Sequence, residues 1–342
     1  ASSWLNLGRK IYEEQIAEQI LADGVHFELS PMYHAIILED IMDVINICHA
    51  YPEKCDASFN QLLRVTAQKM LAAYQSLVHP DGQIGFFNDA AFGVCATFSQ
   101  LNSYAMSLGL EADFQVSINS HERSKNLVLT NLKDAGYVRL ENENACALLD
   151  VGSIGPDYLP GHAHADTLSF ELSVFGQRLI VNGGTSTYAG GSLRNNERST
   201  ATHSTVEVGG QNSSEVWGQF RVAKRAYPNH LQIKNIDTIF DVQCSHDGYQ
   251  RLSCGLTHTR AWKMSDRGLL VDDHVGFCDK KSSRLAPPKS RARYIFHPSA
   301  QIKSIAKNQW ELQLLNMQCI QLSVLSGDGH FEESNYASEF GK

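Results

Sequence analysis

Two histidines and an aspartate at alternate positions are the residues of this sequence best suited to chemistry. They are His162, His164 and Asp166. Alternation along a strand would place the three side chains on one face, continuing the apolar row of residues 168–172. Ionisable groups at the edge of an apolar face are costly unless they are paired, bind a metal or transfer protons. The alternative interpretation is an exposed strand end with two unrelated histidines.

A third histidine, His203, lies just before another predicted strand. A single histidine in this position is more often structural than a ligand. Together with His164 it could supply two ligands of a zinc site. Such a site then needs a third ligand, usually an aspartate or a glutamate.

Tyr33 is predicted in the first turn of a helix, with Glu28 before it and His34 after it. The positive end of the helix dipole modestly favours a tyrosinate there. A free tyrosine has a pKa of about 10, so proton transfer near neutral pH needs such help. A core tyrosine on the helix face is an equally good interpretation, and Glu28 and His34 could both be solvated.

Basic and aromatic residues follow the first histidine pair. Guanidinium groups match carboxylates and sulfates with two parallel hydrogen bonds. Tyr188 and Trp217 could stack on sugar rings, although single surface aromatic residues are common. The basic residues of this stretch are Arg194, Arg198, Arg221, Lys224 and Arg225.

The first 110 residues or so have the periodicity of amphipathic helices. A first helix covers residues 4–20, and Ser30 followed by Pro31 marks the start of the second, whose apolar stripe includes Tyr33 and Ile37. A third helix spans residues 59–77, and a fourth runs from about residue 88 to residue 109. Short turns between them predict antiparallel helical hairpins.

Beyond a polar connection at residues 120–125 the pattern changes to strand alternation, beginning near residue 137. The clearest hairpin covers residues 167–182, with Gly176 and Gln177 as its turn. Frequent strands without intervening helices predict an antiparallel sandwich, and hence an α+β protein with a helical domain at residues 1–125 and a β-sandwich domain at 126–342. Further strands are predicted at residues 203–208, 231–242, 257–264, 268–273, 293–297, 310–315 and 319–325.

Composition limits the function classes. The 342 residues carry a formal charge of -8 and are 43% hydrophobic, which is typical of a globular protein of two domains. The acidic balance argues against general nucleic-acid binding, and no run of residues is apolar enough to span a membrane. The eight cysteines stand mostly beside apolar residues and have no C-x-x-C spacing, which predicts buried thiols and weakly favours the cytoplasm.

Four segments together resemble proteins of the heparinase II/III type. DGVHFELSPMYH at residues 23–34 resembles the last part of that family's helical toroid. GHAHADTLSF (161–170), LIVNGGT (179–185) and RSTATHSTV (198–206) resemble its β-domain signature. The resemblance covers nearly the whole chain and implies an incomplete α/α toroid packed on a β-sandwich, with the site in the cleft between them.

The resemblance also implies roles for individual residues. Tyr33 corresponds to a catalytic tyrosine and His162 to a catalytic histidine, while His164 and His203 correspond to ligands of a structural zinc. Asn182 stands where the family usually has an aspartate ligand, and a neutral amide is a poorer zinc donor. The family's asparagine-histidine pair, which helps to hold the substrate carboxylate, is expected upstream of this sequence. We therefore expect the chain to be a fragment of a longer protein.

The function implied is a lyase that cleaves a uronic-acid glycan by removing the C5 proton and expelling the O4 substituent. Arg194, Arg198 or His34 would neutralise the carboxylate, Tyr33 would be the acid or both acid and base, and His162 or Tyr188 would be the base for the opposite stereochemistry. Glu28, Arg221 and Trp217 are further candidates for substrate contact.

Two other functions remain open from the sequence. His-x-His-x-Asp also suits a zinc hydrolase, in which metal removal would abolish hydrolysis. A noncatalytic glycan-binding or surface-polysaccharide protein of the same fold is compatible with Asn182 and the cysteines. The family resemblance implies a periplasmic or secreted protein, and the cysteines allow a cytoplasmic one. A homodimer is compatible with the sequence, whereas the identity of the glycan depends on scattered loop residues.

Overall fold

The computed structural model describes residues 2–110, 121–124, 127–236, 238–253, 255–278, 286 and 288–342. Helices fill most of the first 107 residues, namely α1 (Ser2–Gln19), α2 (Pro31–Ala50), α3 (Ala57–Ser76) and α4 (Phe98–Ser107), with a 3-10 turn at Pro52–Lys54. Within the β-region there are a short helix, α5 (Ser192–Glu197), and a 3-10 turn at Thr200–Thr202. No helix in these ranges is long and apolar enough to cross a membrane.

Capping explains where the second helix begins. Ser30 has an extended backbone and its hydroxyl accepts a hydrogen bond from the Tyr33 N–H at 3.3 Å, while Pro31 occupies the first helical position. Both features satisfy or remove amide hydrogens that have no partner within the helix. The start predicted from this dipeptide is therefore confirmed.

The buried face of α2 agrees only in part with the predicted stripe. Ile41 and Cys48 of that stripe are buried, whereas Tyr33, Ile37 and Val44 are only partly buried at its margin. The other large buried side chains of the helix are Met32, Leu38, Met42 and Ile45. Because Tyr33 lies at this margin, its side chain is only partly covered by the helical core.

The fourth helix is much shorter than predicted. It begins at Phe98, after a Thr97 cap, and not near residue 88. Asn88 has a positive φ of 55°, which is incompatible with a right-handed helix. Asn88 and Asp89 are buried in an irregular segment that faces the β-sandwich.

The cysteines are not all buried thiols. Cys48 and Cys55 form a disulfide that links the end of α2 to the segment before α3. Cys278 and Cys319 are exposed. Cys254 lies outside the described residues, as do residues 120 and 125 of the predicted polar connection.

The rest of the chain is antiparallel β-structure. The strands are β1 (His121–Ser124), β2 (Leu127–Leu132), β3 (Tyr137–Glu141), β4 (Ala145–Asp150), β5 (Phe170–Val174), β6 (Gln177–Val181), β7 (Val206–Val208), β8 (Val216–Trp217), β9 (Arg221–Val222), β10 (Pro228–Ile236), β11 (Ile239–His246), β12 (Leu256–Met264), β13 (Leu269–Phe277), β14 (Ser290–Ala292), β15 (Ile295–Phe296), β16 (Gln301–Ala306), β17 (Gln309–Gln313) and β18 (Cys319–Ser323). A seven-stranded sheet has the order β1-β2-β3-β4-β5-β6-β15 and a four-stranded sheet the order β10-β11-β12-β13, while β16-β17-β18, β7-β14 and β8-β9 form smaller sheets.

The two larger sheets pack on each other as a sandwich. Phe170 and Leu172 of the seven-stranded sheet share one buried cluster with Val242 and Trp262 of the four-stranded sheet. The rings of Phe170 and Trp262 meet edge to face at 6.4 Å. The predicted α+β class, with helical hairpins followed by an antiparallel sandwich, is therefore confirmed.

Several strand predictions need correction. The turn of the β5–β6 hairpin is Phe175 and Gly176, both at positive φ, one residue earlier than predicted. Residues 231–242 contain the reversal between β10 and β11 and are not one strand. The segment from His162 to Asp166 is irregular, since Leu168 has a φ of 60° and the strand begins only at Phe170.

The helical region and the sandwich share an extensive buried interface. The Asp23 carboxylate accepts hydrogen bonds at 2.8 Å from the N–H groups of Asp134 and Ala135, in the turn between β2 and β3. The Tyr137 hydroxyl donates to the Leu29 carbonyl at 2.6 Å. These contacts fix the segment of residues 23–30 against the sheet.

The predicted boundary between residues 125 and 126 falls between β1 and β2, which are hydrogen-bonded to each other. Because paired strands belong to one folding unit, we propose that the β-domain begins no later than His121.

Candidate active site

The buried carboxylate of Asp89 lies at the centre of the site. Its Oδ2 accepts a hydrogen bond from the His162 Nδ1 at 3.0 Å, and its Oδ1 accepts one from the His164 Nε2 at 2.8 Å. Both terminal nitrogens of Arg194 also donate to it, with Nη2 2.7 Å from Oδ2. Burial by itself raises the pKa of Asp89, but the hydrogen bonds from His162 and His164 outweigh it, so the pKa lies well below its usual range. Asp89 is therefore ionised and can only accept hydrogen bonds.

Asn88 connects its own segment to two others, the segment of residues 162–166 and the segment that contains Leu29. Its N–H donates to the Asp166 Oδ2 at 3.1 Å, and its side-chain oxygen accepts from the His164 N–H at 3.0 Å. Its amide nitrogen donates to the Leu29 carbonyl at 3.0 Å. Leu29, Asn88 and Leu168 all have φ near +60°, a conformation that costs energy outside glycine. The hydrogen bonds of Asn88 help to hold two of these strained residues in place.

Asp89 determines which nitrogen of His162 carries a proton. A carboxylate cannot donate, so the proton of the neutral ring resides on Nδ1. The other nitrogen, Nε2, then has a free lone pair and lies 4.0 Å from the Glu28 Oε2. The His162 side chain is 19% exposed, so its ring is partly accessible to solvent.

The same argument applies to His164 and His203. The His164 Nε2 donates to Asp89, and the His203 Nδ1 donates to the Ser199 carbonyl at 2.7 Å. Both remaining nitrogens are left with lone pairs, and they face each other at 3.1 Å. Burial also lowers the pKa of His164 to about 3, so an additional proton is disfavoured there. A shared cation would relieve this repulsion.

Zinc fits this pair only in part. Two nitrogens at about 2.1 Å from one zinc at a tetrahedral angle lie about 3.4 Å apart, close to the observed separation. Asn182, the predicted third ligand, is occupied elsewhere, since its oxygen accepts from the Ser204 N–H at 2.9 Å and its amide nitrogen donates to Ser169. Among the described residues, no group of three His, Cys, Asp or Glu side chains is arranged to hold a metal.

Tyr33, Tyr188 and His162 meet in the cleft. The two tyrosine hydroxyls are 2.9 Å apart, and the Tyr33 ring packs on the His162 ring with centroids 4.0 Å apart. Burial raises the pKa of Tyr33 above its ordinary value of 10, although its hydrogen bond with Tyr188 lowers it somewhat. The net shift therefore disfavours a tyrosinate in the resting site. Tyr33 carries its proton and is able to donate it.

Three of the predicted substrate-binding side chains are buried and have partners within the protein. His34 is enclosed in the helical core, where its Nε2 bonds to the Met70 carbonyl at 2.9 Å. Arg194 is paired with Asp89, and Arg198 donates to the Ala163 carbonyl at 2.8 and 3.0 Å. The prediction that these three groups meet a substrate carboxylate is wrong, because none of them is exposed to the cleft.

The other predicted residues lie nearer to solvent. Glu28 is partly exposed beside His162, and burial raises its pKa. Trp217 and Arg221 are exposed on the β8–β9 hairpin. Arg225 is paired with Asp157 at 2.8 Å.

Two family models together match nearly the whole chain. Residues 125–342 match the family described as "Heparinase II/III-like, C-terminal", and residues 1–115 match "Heparinase II/III N-terminus". The chain belongs to the heparinase II/III family.

Characterised relatives of this heparinase II/III chain include two heparin-sulfate lyases. The protein of Pedobacter heparinus is 26% identical over 219 residues, which cover 61% of this chain and 32% of the relative. The protein of Bacteroides stercoris is 25% identical over 265 residues, which cover 72% of this chain and 39% of the relative. The matched parts thus span 32% and 39% of the lengths of these relatives.

Solved structures show the same heparinase II/III fold. The heparan sulfate lyase HepC of Pedobacter heparinus superimposes with a TM-score of 0.72 at 19% identity, over 99% of this chain and 52% of that structure. A heparinase III structure gives a TM-score of 0.70 at 20% identity, over 93% of this chain and 50% of that structure.

Sequence reasoning missed Asp89 and Asn88, the residues that organise this heparinase-type site. Their signal was present, because the two polar residues interrupt an apolar run, with Phe86 and Phe87 before them and alanines after them. Such a pair is costly to bury unless it has partners. The sequence pattern predicts a helix start at this pair, whereas the helix begins only at Phe98.

Replacing Asp89 by asparagine should strongly destabilise the protein. The Arg194 guanidinium would remain buried without a counter-charge, and breaking one partner of a buried ion pair costs about 3–5 kcal/mol. Denaturant unfolding should show this loss, whereas the exposed control Asp272→Asn should unfold like the wild type. Adding Arg194→Met to Asp89→Asn should recover part of the loss. An unchanged free energy of unfolding in Asp89→Asn would contradict the role of this ion pair.

Proposed function

We propose that this protein is a polysaccharide lyase that cleaves a uronic-acid glycan by β-elimination, with heparan sulfate as the first candidate substrate. The observation that carries the proposal is the convergence of a protonated tyrosine, Tyr33, with the free Nε2 of His162 in one cleft. An elimination needs an acid and a base near the same two carbon atoms. The heparin-sulfate lyase activity of the relatives supports the choice of substrate.

The two groups divide the proton transfers between them. The His162 Nε2 takes the proton from C5 of the uronic acid, and the electron pair of that C–H bond forms the C4=C5 double bond. The C4–O4 bond breaks, and its electron pair remains on O4. Tyr33 donates its hydroxyl proton to that oxygen, so charge does not accumulate on the leaving group. Tyr188, whose hydroxyl is 2.9 Å from that of Tyr33, can return a proton to Tyr33 afterwards.

Acidifying the C5 proton requires that the substrate carboxylate be neutralised. Arg194 and Arg198 are committed to Asp89 and to the Ala163 carbonyl, so their charge is not available at close range. Burial raises the pKa of Glu28, although the nearby His162 opposes this shift. A protonated Glu28 would donate a hydrogen bond to the substrate carboxylate, and we propose this role for it.

The test of the function is turnover of a panel of glycans followed by ultraviolet absorbance of the new C4=C5 double bond. We expect absorbance to rise with heparan sulfate and not with a glycan that lacks uronic acid. Binding of heparan sulfate without any rise would instead support a noncatalytic glycan-binding protein of the same fold.

Tyr33→Phe should separate catalysis from folding. The ring and its packing on His162 are kept, and the loss of one hydrogen bond to Tyr188 should cost about 0.5–1.5 kcal/mol of stability. Turnover should fall on the order of a hundredfold or more, since the proton donor is lost. The matched control is Tyr104→Phe, which also loses one hydroxyl hydrogen bond, to Asp43, on the helical surface. Normal turnover by Tyr33→Phe would remove this residue from the mechanism.

We further propose that His164 and His203 hold zinc weakly, because Asn182 contributes no charge to the pair. Zinc would brace the segments that carry the two histidines. Asn182→Asp keeps an acceptor for the Ser204 N–H and adds a carboxylate, so it should raise the zinc content in elemental analysis. The exposed Asn316→Asp is the control for added charge. An equal zinc content in wild type and Asn182→Asp would exclude position 182 from the site.

A further inference from the structure

The short β8–β9 hairpin lies directly beside the candidate active site. Trp217 and Arg221 are opposite each other in its register, and residues 218–220 form its turn. The ring of Phe220, in that turn, is 6.2 Å from the His162 ring and 5.5 Å from the Tyr188 ring. The turn of the hairpin is therefore in direct contact with the candidate active site.

Two buried arginines donate hydrogen bonds to backbone carbonyls of this hairpin. The Arg194 Nε donates to the Gln219 carbonyl at 3.1 Å. Arg198 donates to the carbonyls of Gly218 at 3.2 Å and Arg221 at 3.3 Å. A two-stranded ribbon is only marginally stable by itself, so these bonds are needed to define its position. Because Arg194 also donates to Asp89, which accepts from His162 and His164, the hairpin and both histidines are linked to the same ion pair.

The outer face of the hairpin is an exposed pair of an aromatic and a cationic side chain. Trp217 is 50% exposed, and the Arg221 guanidinium lies 4.7 Å from the centre of its indole ring. Within the described part of the chain, the Arg221 guanidinium has no carboxylate partner, in contrast to Arg225 and Arg293, which form ion pairs. The indole fixes the guanidinium in place while its hydrogen-bonding nitrogens remain available.

We propose that Trp217 and Arg221 form a subsite for an anionic sugar residue next to the residue that is cleaved. The sugar ring would contact the open part of the indole, and Arg221 would bind a sulfate or carboxylate with two parallel hydrogen bonds. This inference rests on the proposed action on a uronic-acid glycan and deepens it.

Charge and distance both favour this ligand. The chain has a net charge of -8, so a polyanion needs a local cation near the cleft. The charges of Arg194 and Arg198 are buried, which leaves Arg221 as a cation at the surface of this hairpin. The Phe220 ring lies beside His162 and Tyr188, and Arg221 is the next residue along the chain. The subsite would therefore select for glycans with an acidic group on the neighbouring sugar.

The test is binding of size-defined oligosaccharides, measured by calorimetry in the Tyr33→Phe background so that the ligand is not consumed. The probes are a heparan sulfate hexasaccharide and an uncharged cellohexaose. Trp217→Ala and Arg221→Ala should each weaken binding of the heparan sulfate probe on the order of tenfold. The affinity of Arg221→Lys for this probe should lie between that of the alanine variants and that of the parent, because lysine keeps the charge but lacks the planar guanidinium. Matched controls are Trp4→Ala and Arg267→Ala, both at exposed positions outside the hairpin.

The effect of Arg221→Ala should also shrink as salt is raised, since an exposed charge is screened. Parental affinity in both Trp217→Ala and Arg221→Ala would overturn the subsite, even if the protein cleaves heparan sulfate. Equal affinity of the parent for cellohexaose would also overturn it, because no anion would then be recognised. If Trp217 and Arg221 govern binding but no glycan is cleaved, the subsite stands and the lyase proposal fails.

Discussion

The hydrogen-bonded ion pair between Asp89 and Arg194 is the interaction on which the site depends. A buried carboxylate is stable only with several donors, and here a guanidinium and two imidazoles supply them. The two imidazoles come from the segment of residues 162–166 and the guanidinium from α5, both in the β-domain, whereas Asp89 lies in the irregular segment between α3 and α4. The requirement to satisfy one charge therefore brings together groups that are more than 70 residues apart.

The same carboxylate has a chemical consequence. Because it accepts and never donates, it assigns the proton of His162 to Nδ1 and leaves Nε2 free in the cleft. It assigns the proton of His164 to Nε2 and directs the opposite nitrogen toward His203. The Asp89 carboxylate thus leaves one unprotonated nitrogen on His162 as a candidate base and one on His164 as a candidate metal ligand. Arg194 also donates a hydrogen bond to the Gln219 carbonyl, and so helps to position the hairpin that carries Trp217.

Much of the fold could be predicted from sequence because its signals are local. The Ser30-Pro31 helix start, the change from helical to strand periodicity and the β5–β6 hairpin all depend on neighbouring residues. The site was predicted less well, because burial depends on distant contacts. Arg194 and Arg198 look like surface cations in sequence, and only the tertiary structure reveals their carbonyl and carboxylate partners. Asn88 required a positive φ that no local pattern of this segment indicated.

The tautomeric states of the histidines test the organising role of Asp89 most directly. They can be measured by long-range nitrogen-proton correlation NMR on metal-free protein labelled with 15N-histidine, with His162→Gln and His164→Gln variants to assign the signals. We predict a protonated Nδ1 and an unprotonated Nε2 in His162, and the reverse in His164. A His162 protonated on Nε2 alone, with an unprotonated Nδ1, would contradict the account, because that ring could not donate a hydrogen bond to the Asp89 carboxylate.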